Sequence, residues 1–217
     1  MLKRLLIAIV FGIAFAYIES AVVVYLRVIF HPNGFTFPLE PFAITELGRR
    51  MLLTEVGREA ATIVLIATAA MLFARARQET AAYFLVIFAI WDVFYYVWLK
   101  VLLNWPASIM DWDILFLIPY VWASPVLSPI LVSAVMFLYG TAILHRTSHR
   151  KPLHVKAVDW IGWTLASAIL IAAFCLGGVH VTQPDYAHHF HWWLFTAGLI
   201  LGIVVCWRSL ARSAGCA

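Results

Sequence analysis

Apolar residues dominate six stretches of the chain, at roughly 5–27, 52–74, 81–103, 124–144, 158–177 and 191–207. Each approaches the ~20 residues that an α-helix needs to cross ~30 Å of hydrocarbon. Polar links between them are short. The pattern therefore predicts an all-α fold: a polytopic membrane bundle of about six transmembrane helices, forming a single transmembrane domain over 1–217. No polar stretch is long enough for a soluble domain, and no repeat or low-complexity segment is visible.

The breaks between the runs differ in character. His31-Pro32-Asn33-Gly34 is a turn signal that ends the first run. Residues 35–47 carry Phe35, Phe37, Pro38, Pro41 and Phe42; they are too apolar for a free loop and too short to span, so they are expected to lie along the interface. In 104–123, Trp105, Trp112, Tyr120 and Trp122 make an aromatic belt at headgroup level. Pro119, Pro125 and Pro129 interrupt helix continuity there. Ile114–Pro119 is expected as a short interfacial or re-entrant piece, with the fourth span starting near Ser124-Pro125. At the start, Lys3-Arg4 and Ala14-Phe15-Ala16 resemble a signal peptide, but apolar character continues to Phe30, so an uncleaved first span is expected.

Composition agrees with the pattern. Of 217 residues, 64% are hydrophobic and 12% charged, and the mean hydropathy is +0.92. A soluble domain is about 45–50% apolar and about 25% charged, so lipid must solvate much of this surface. The net charge of +4 does not indicate nucleic acid: the bases flank apolar runs, and no nucleic-acid module motif is present. Ten of the fifteen fall on one side of the predicted bundle, including Arg4, Arg75, Arg146, Lys151, Arg208 and Arg212. The positive-inside rule then puts both termini in the cytoplasm, with the chain in the cell (inner) membrane. The expected partners are the lipid bilayer and further membrane subunits.

Several ionisable residues nevertheless fall inside the runs, where each costs about 2.5–3.5 kcal/mol on insertion scales. At a ~1.5 Å rise per residue, Glu19, Glu59 and Asp92 lie about 21, 22 and 16 Å from the cytoplasmic edges of their spans. Arg58 is beside Glu59, and Arg27, Glu55 and Lys100 form a second layer farther out. The residues fall on stripes four apart: Glu19, Val23 and Arg27; Glu55 and Glu59; Asp92, Tyr96 and Lys100. Positions i and i+4 share a helix face, so the three stripes are expected to face one another. Four acids against three bases leave one carboxyl to be protonated or to meet a bound cation. The network is read either as a ligand, ion or proton site, or as ionic glue between helices.

A second cluster lies in the outer loops. His188, His189 and His191, with Asp111 and Asp113, have the donor chemistry of a Zn²⁺ or Cu²⁺ site, although no HExxH or comparable spacing supports it. Interfacial histidines beside Trp192 and Trp193 are the alternative. His145 and His149 lie four apart among cytoplasmic bases. No histidine lies well inside a span, so a b-type haem is not expected; any other cofactor is left open. Cys175, Cys206 and Cys216 lack metal spacing and read as packing residues. Trp91 and Trp98 flank Asp92 and, with Tyr95 and Tyr96, could line an aromatic pocket.

Six short spans with a tryptophan-rich outward side resemble, in architecture, the vitamin-binding subunits of modular uptake transporters; the resemblance carries no residue over. Three functions stay open. They are a solute- or ion-binding or transport-related membrane subunit, a non-catalytic subunit of a larger membrane complex, and a membrane metalloenzyme. The polar groups reach only the outer half, which favours a binding or complex subunit over a stand-alone carrier. The topology has a direct check. A single cysteine replacing Lys151, in a chain whose native cysteines are removed, is expected to react with an impermeant thiol reagent only after permeabilisation. Labelling from outside intact cells would reverse the orientation.

Overall fold

The computed structural model describes residues 2–31, 34–39 and 46–214. Pro32, Asn33, Pro41, Phe42 and Cys216 lie outside the described residues. Among the described residues there are six α-helices: α1 (Leu2–Phe30), α2 (Glu46–Phe73), α3 (Arg77–Leu103), α4 (Leu127–Ser148), α5 (Ala157–Val179) and α6 (Trp192–Ala214). All six are long and apolar enough to cross a membrane. Most overrun the predicted spans by a few residues, because composition marks the hydrocarbon layer whereas the helix continues into the headgroups. Large apolar side chains face outward, with Leu72 86% and Trp207 73% exposed. In water that surface would be prohibitive, and in lipid it costs nothing. The chain is a polytopic membrane protein.

α3 is the hub. It packs against α1, α2 and α4, while α1 and α2 touch each other little. Small residues set the close approaches: a Cβ at Gly12 would meet Ile90, and one at Gly140 would meet the Ala82 carbonyl and Val86. α3 stops at Asn104, which adopts a left-handed conformation (φ 53°) and returns its N–H to the Lys100 carbonyl. α5 and α6 pair separately, tied at one end by Asp159, which is fully buried. Its carboxylate accepts the Lys156 N–H at 2.8 Å and hydrogen bonds from Arg212 at 2.7 and 3.1 Å and Arg208 at 3.2 Å. At the same end Gln78 exchanges two hydrogen bonds with the Leu153 backbone (2.8 and 2.9 Å).

The segment expected as a short interfacial or re-entrant piece forms an antiparallel hairpin. β1 (Trp112–Phe116) pairs with β2 (Trp122–Pro125), Asp113 opposite Ser124 and Phe116 opposite Trp122, with a bulge at Leu115. α4 accordingly starts at Leu127, not at Ser124-Pro125. The run is rich in β-branched and aromatic residues, which suit a pleated surface, and a short apolar run of this kind reads alike as strand or helix. β2 lies directly on α5: Trp122 stacks on Phe174 at 5.8 Å. Gly177 and Gly178 make that approach possible, since a Cβ on either would collide with the carbonyl oxygens of Ala123 and Val121. The hairpin thus bridges the α1–α2–α3 group and the α5–α6 pair.

Gly178→Ala forces the hairpin off α5 and is expected to cost about 1–3 kcal/mol, as overpacking does. Gly57→Ala in α2 meets nothing within 4 Å and should be neutral, or stabilising by about 0.5–1 kcal/mol through helix propensity. Thermal unfolding of both variants in detergent separates them; equal melting temperatures would show that the contact does not matter.

Candidate functional site

A cavity of about 160 Å³ lies between α1, α2, α3 and β1. It exists because α1 and α2 barely touch, and the hairpin closes one wall. All three residues of the α1 stripe line it (Glu19, Val23, Arg27), as do Glu55, Arg58 and Glu59 of α2 and Asp92, Tyr95 and Tyr96 of α3. Asp113 of β1 completes the polar lining. Phe30 and His31 at the end of α1 and Met51 and Leu52 near the start of α2 also line it.

The charges divide into three groups. In the first, Arg58 lies between two carboxylates, hydrogen-bonded by Nη1 to Glu19 and by Nε and Nη2 to Glu55 at 2.9 and 2.6 Å. Thr62 adds a long contact to Glu19 at 3.4 Å. This triad cross-links α1 to α2 where few other contacts do.

The second group has no direct cationic partner. Glu59, 6% exposed, accepts the backbone N–H of Leu117 at 2.8 Å. The hairpin tip is thereby held at the middle of α2, and an N–H that the strand ladder leaves over is satisfied. Asp92 accepts the hydroxyl of buried Ser133 from α4 at 2.8 Å. Neutral donors thus hold both carboxyls.

The third group is Arg27 and Asp113, 7% and 2% exposed, joined at 3.2 Å through Asp113 Oδ1. The Arg27 guanidinium also lies over the rings of Phe35 and Trp105, 4.1 and 3.9 Å from their centroids. The hydroxyls of Tyr95 and Tyr96 face the Asp113 carboxyl, and the Trp91 indole N–H in this lining is buried without a hydrogen-bond partner among the described residues. Burial pushes the Asp113 carboxyl up to about 6, against the pull of Arg27.

Two sequence expectations need correction. Lys100 does not join the Asp92–Tyr96 stripe. Its ammonium turns to the end of α3 and donates to the carbonyls of Asn104 (3.3 Å) and Pro106 (2.9 Å), where a helix leaves acceptors unpaired and favours positive charge. The outer His/Asp set does not assemble either. His189 pairs with Asp185 at 3.0 Å and stacks on His180 at 3.8 Å. His191 binds the His189 carbonyl at 2.7 Å, and His188 is exposed. Asp111 accepts the N–H groups of Ala107 and Ser108, at 2.7 and 3.1 Å, and organises its own turn. Asp113 is claimed by Arg27. Among the described residues no three His, Cys, Asp or Glu side chains are placed to share a metal ion. Of the two tryptophans flanking Asp92, Trp91 lines the cavity, while Trp98 donates to the Ile13 carbonyl at 3.0 Å and packs on Tyr17. Ser133 and Leu117 could not be picked out from the sequence, which marks no serine or backbone N–H as special.

Arg58→Gln leaves Glu19 and Glu55 without their cation, and should destabilise the protein by about 3–5 kcal/mol. Glu59→Gln keeps an acceptor for Leu117 and should fold nearly as well as the parent. Glu59→Leu strands that N–H and should cost about 1–3 kcal/mol. Unfolding in mixed micelles gives the order; equal losses for Glu59→Gln and Glu59→Leu would show that the Leu117 bond is unimportant. No protein-family model, curated protein or solved structure matches this chain, so the chemistry of the cavity has to be read from its own residues.

Proposed function

We propose that this membrane protein binds a small cation in the hairpin-walled cavity, reached from the extracytoplasmic side, as a solute-binding or transport-related membrane protein. One observation carries the proposal: five carboxyls (Glu19, Glu55, Glu59, Asp92, Asp113) line a cavity that holds two arginines. Arg58 is consumed by Glu19 and Glu55, and Arg27 by one oxygen of Asp113. The Glu59 and Asp92 carboxyls have only neutral donors in contact. At low dielectric such groups either keep a proton or take a cation. The expected orientation follows from the basic residues, most of which flank the ends of the spans away from the cavity-lining residues. A purely structural role fits the Arg58 triad, whose groups are mutually satisfied, but leaves the Glu59 and Asp92 carboxyls on the cavity wall without a cation.

The proposal predicts ligand-linked stability. A bound cation raises the melting temperature with its concentration, because it stabilises the folded state by RT ln(1 + [L]/Kd). Chloride salts of inorganic and organic cations, screened at constant ionic strength, should include at least one that does so. A flat response across the panel would refute the proposal. The effect should also titrate. Asp113 faces Arg27 from α1 and Tyr95, Tyr96 and Asp92 from α3. It is ionised above about 6 and takes up a proton below. Cation-induced stabilisation should therefore be full at pH 7.5, weaken as pH falls through about 6, and lose that step in Asp113→Asn. A response that strengthens on acidification would contradict the assignment.

A further inference from the structure

Three carboxyls of the cavity wall are half used. Glu55 accepts from Arg58 through Oε2, Glu59 from the Leu117 N–H through Oε2, and Asp92 from the Ser133 hydroxyl through Oδ2. The second oxygen of each meets no hydrogen-bond donor among the described residues. Glu55 already has its cation, and Asp92 is anchored to a neighbouring helix. Glu59 differs from both, because its used oxygen holds the hairpin that walls the cavity, and Glu59 and Leu117 both line that space. The charge on this one carboxyl therefore acts on the cavity and on the hairpin together.

In the empty cavity Glu59 has no counter-charge of its own. Arg58 precedes it on α2, but its guanidinium is engaged by Glu19 of α1 and by Glu55. The other titratable or charged groups of the wall are Arg27 of α1 and Asp113 of β1, which are joined to each other, and Asp92, Tyr95 and Tyr96 of α3. A carboxyl without a cation in low dielectric keeps its proton. Oε2 must present a lone pair to the Leu117 N–H, so that proton sits on Oε1. A cation at Oε1 replaces it and leaves the carboxyl ionised. Hydrogen bonds to an ionised acceptor are roughly twice as strong as neutral ones, so the Leu117 bond strengthens in the same step. Exchange of one proton for one ion keeps the charge of the cavity constant only when the ion is monovalent. Zn²⁺ and Ca²⁺ draw on three or more protein ligands, and the described residues bring no such group of His, Cys, Asp and Glu together. The cavity of about 160 Å³ has room for several waters at ~10–15 Å³ each, so a small ion brings part of its hydration with it.

We infer that Glu59 couples the site to the hairpin: a monovalent cation binds at Glu59 Oε1 in exchange for a proton, and the hairpin tip is held more tightly when the cavity is occupied than when it is empty. The inference rests on the cation-binding reading above and adds which carboxyl responds and what its response does. Such coupling is reciprocal, so loosening the tip weakens the cation by the same factor. Because β2 lies against α5, occupancy of a cavity between α1, α2 and α3 is passed to the α5–α6 pair.

The test uses the full chain in lipid nanodiscs at pH 7.0. Lithium, sodium, potassium and calcium chlorides are titrated at constant ionic strength, balanced with N-methylglucamine chloride. Melting temperature and deuterium exchange at the Leu117 amide are followed, and released protons are counted in weakly buffered solution. At least one monovalent cation is expected to raise the melting temperature, to release about one proton per ion bound, and to slow Leu117 exchange about threefold or more, the scale of a neutral hydrogen bond becoming charge-assisted. Glu59→Gln keeps an acceptor for Leu117 but has no proton to exchange, so the release and the slowing should both vanish. Should Glu59→Gln fail to fold, Leu117 exchange in the parent chain with and without the cation decides by itself. A cation that raises the melting temperature while leaving the proton count and Leu117 exchange unchanged would overturn the coupling and leave the cation site in place. Proton release that survives Glu59→Gln would overturn the assignment to Glu59, and stabilisation by calcium alone would overturn the monovalent class. No thermal response to these four salts would overturn the inference, and the cation-binding reading falls with it if organic cations are silent too.

Discussion

Two extended strands cannot lie among apolar helices unless the N–H and C=O groups along them are paired or covered by protein. A two-stranded hairpin by itself is only marginally stable. This one gains its place from outside. On one side, α5 lets β2 come within backbone contact through Gly177 and Gly178. On the other, Glu59 accepts the Leu117 N–H and Arg27 binds Asp113. Removing any of these leaves a polar group unsatisfied or a cation unpaired, so the charged residues of α1 and α2 are as much a requirement of the hairpin as the hairpin is of them.

The cavity follows from that arrangement. α1 and α2 are held apart with α3 behind them, and the hairpin fills the remaining side incompletely. Arg58 bridges the gap between α1 and α2 through Glu19 and Glu55. Carboxyls that serve the hairpin or α4, Glu59 and Asp92, are left facing the space without a cation of their own. The division separates glue from site: the triad is neutralised within the protein, whereas Glu59 and Asp92 meet only neutral donors.

The helices were legible because crossing hydrocarbon imposes a length and a composition that few other folds share. The stripes on α1, α2 and α3 were legible because intramembrane charges are rare and the helix period puts positions four apart on one face. What escaped is long-range. Leu117 meets Glu59 through a backbone group common to every residue, and Arg27 meets Asp113 across 86 positions of chain. Asp113 sits in a loop with histidines not far off in the predicted topology, and its chemistry suited a metal as well as it suited an arginine. Lys100 fits the i+4 spacing, yet it lies at the last turn of α3, where unpaired carbonyls compete for an ammonium. Pattern shows which face a residue occupies; which neighbour claims it depends on elements far away in sequence.

The central claim is that the 112–125 backbone is buried and paired within the bundle. Hydrogen exchange of the protein in lipid nanodiscs, read by mass spectrometry, tests it most directly. The amides of 113–117 should exchange as slowly as those of the α3 interior, with Leu117 among the slowest in the parent chain and much faster in Glu59→Leu. Exchange of the whole segment at the rate of an unprotected loop, unchanged by Glu59→Leu, would contradict the account.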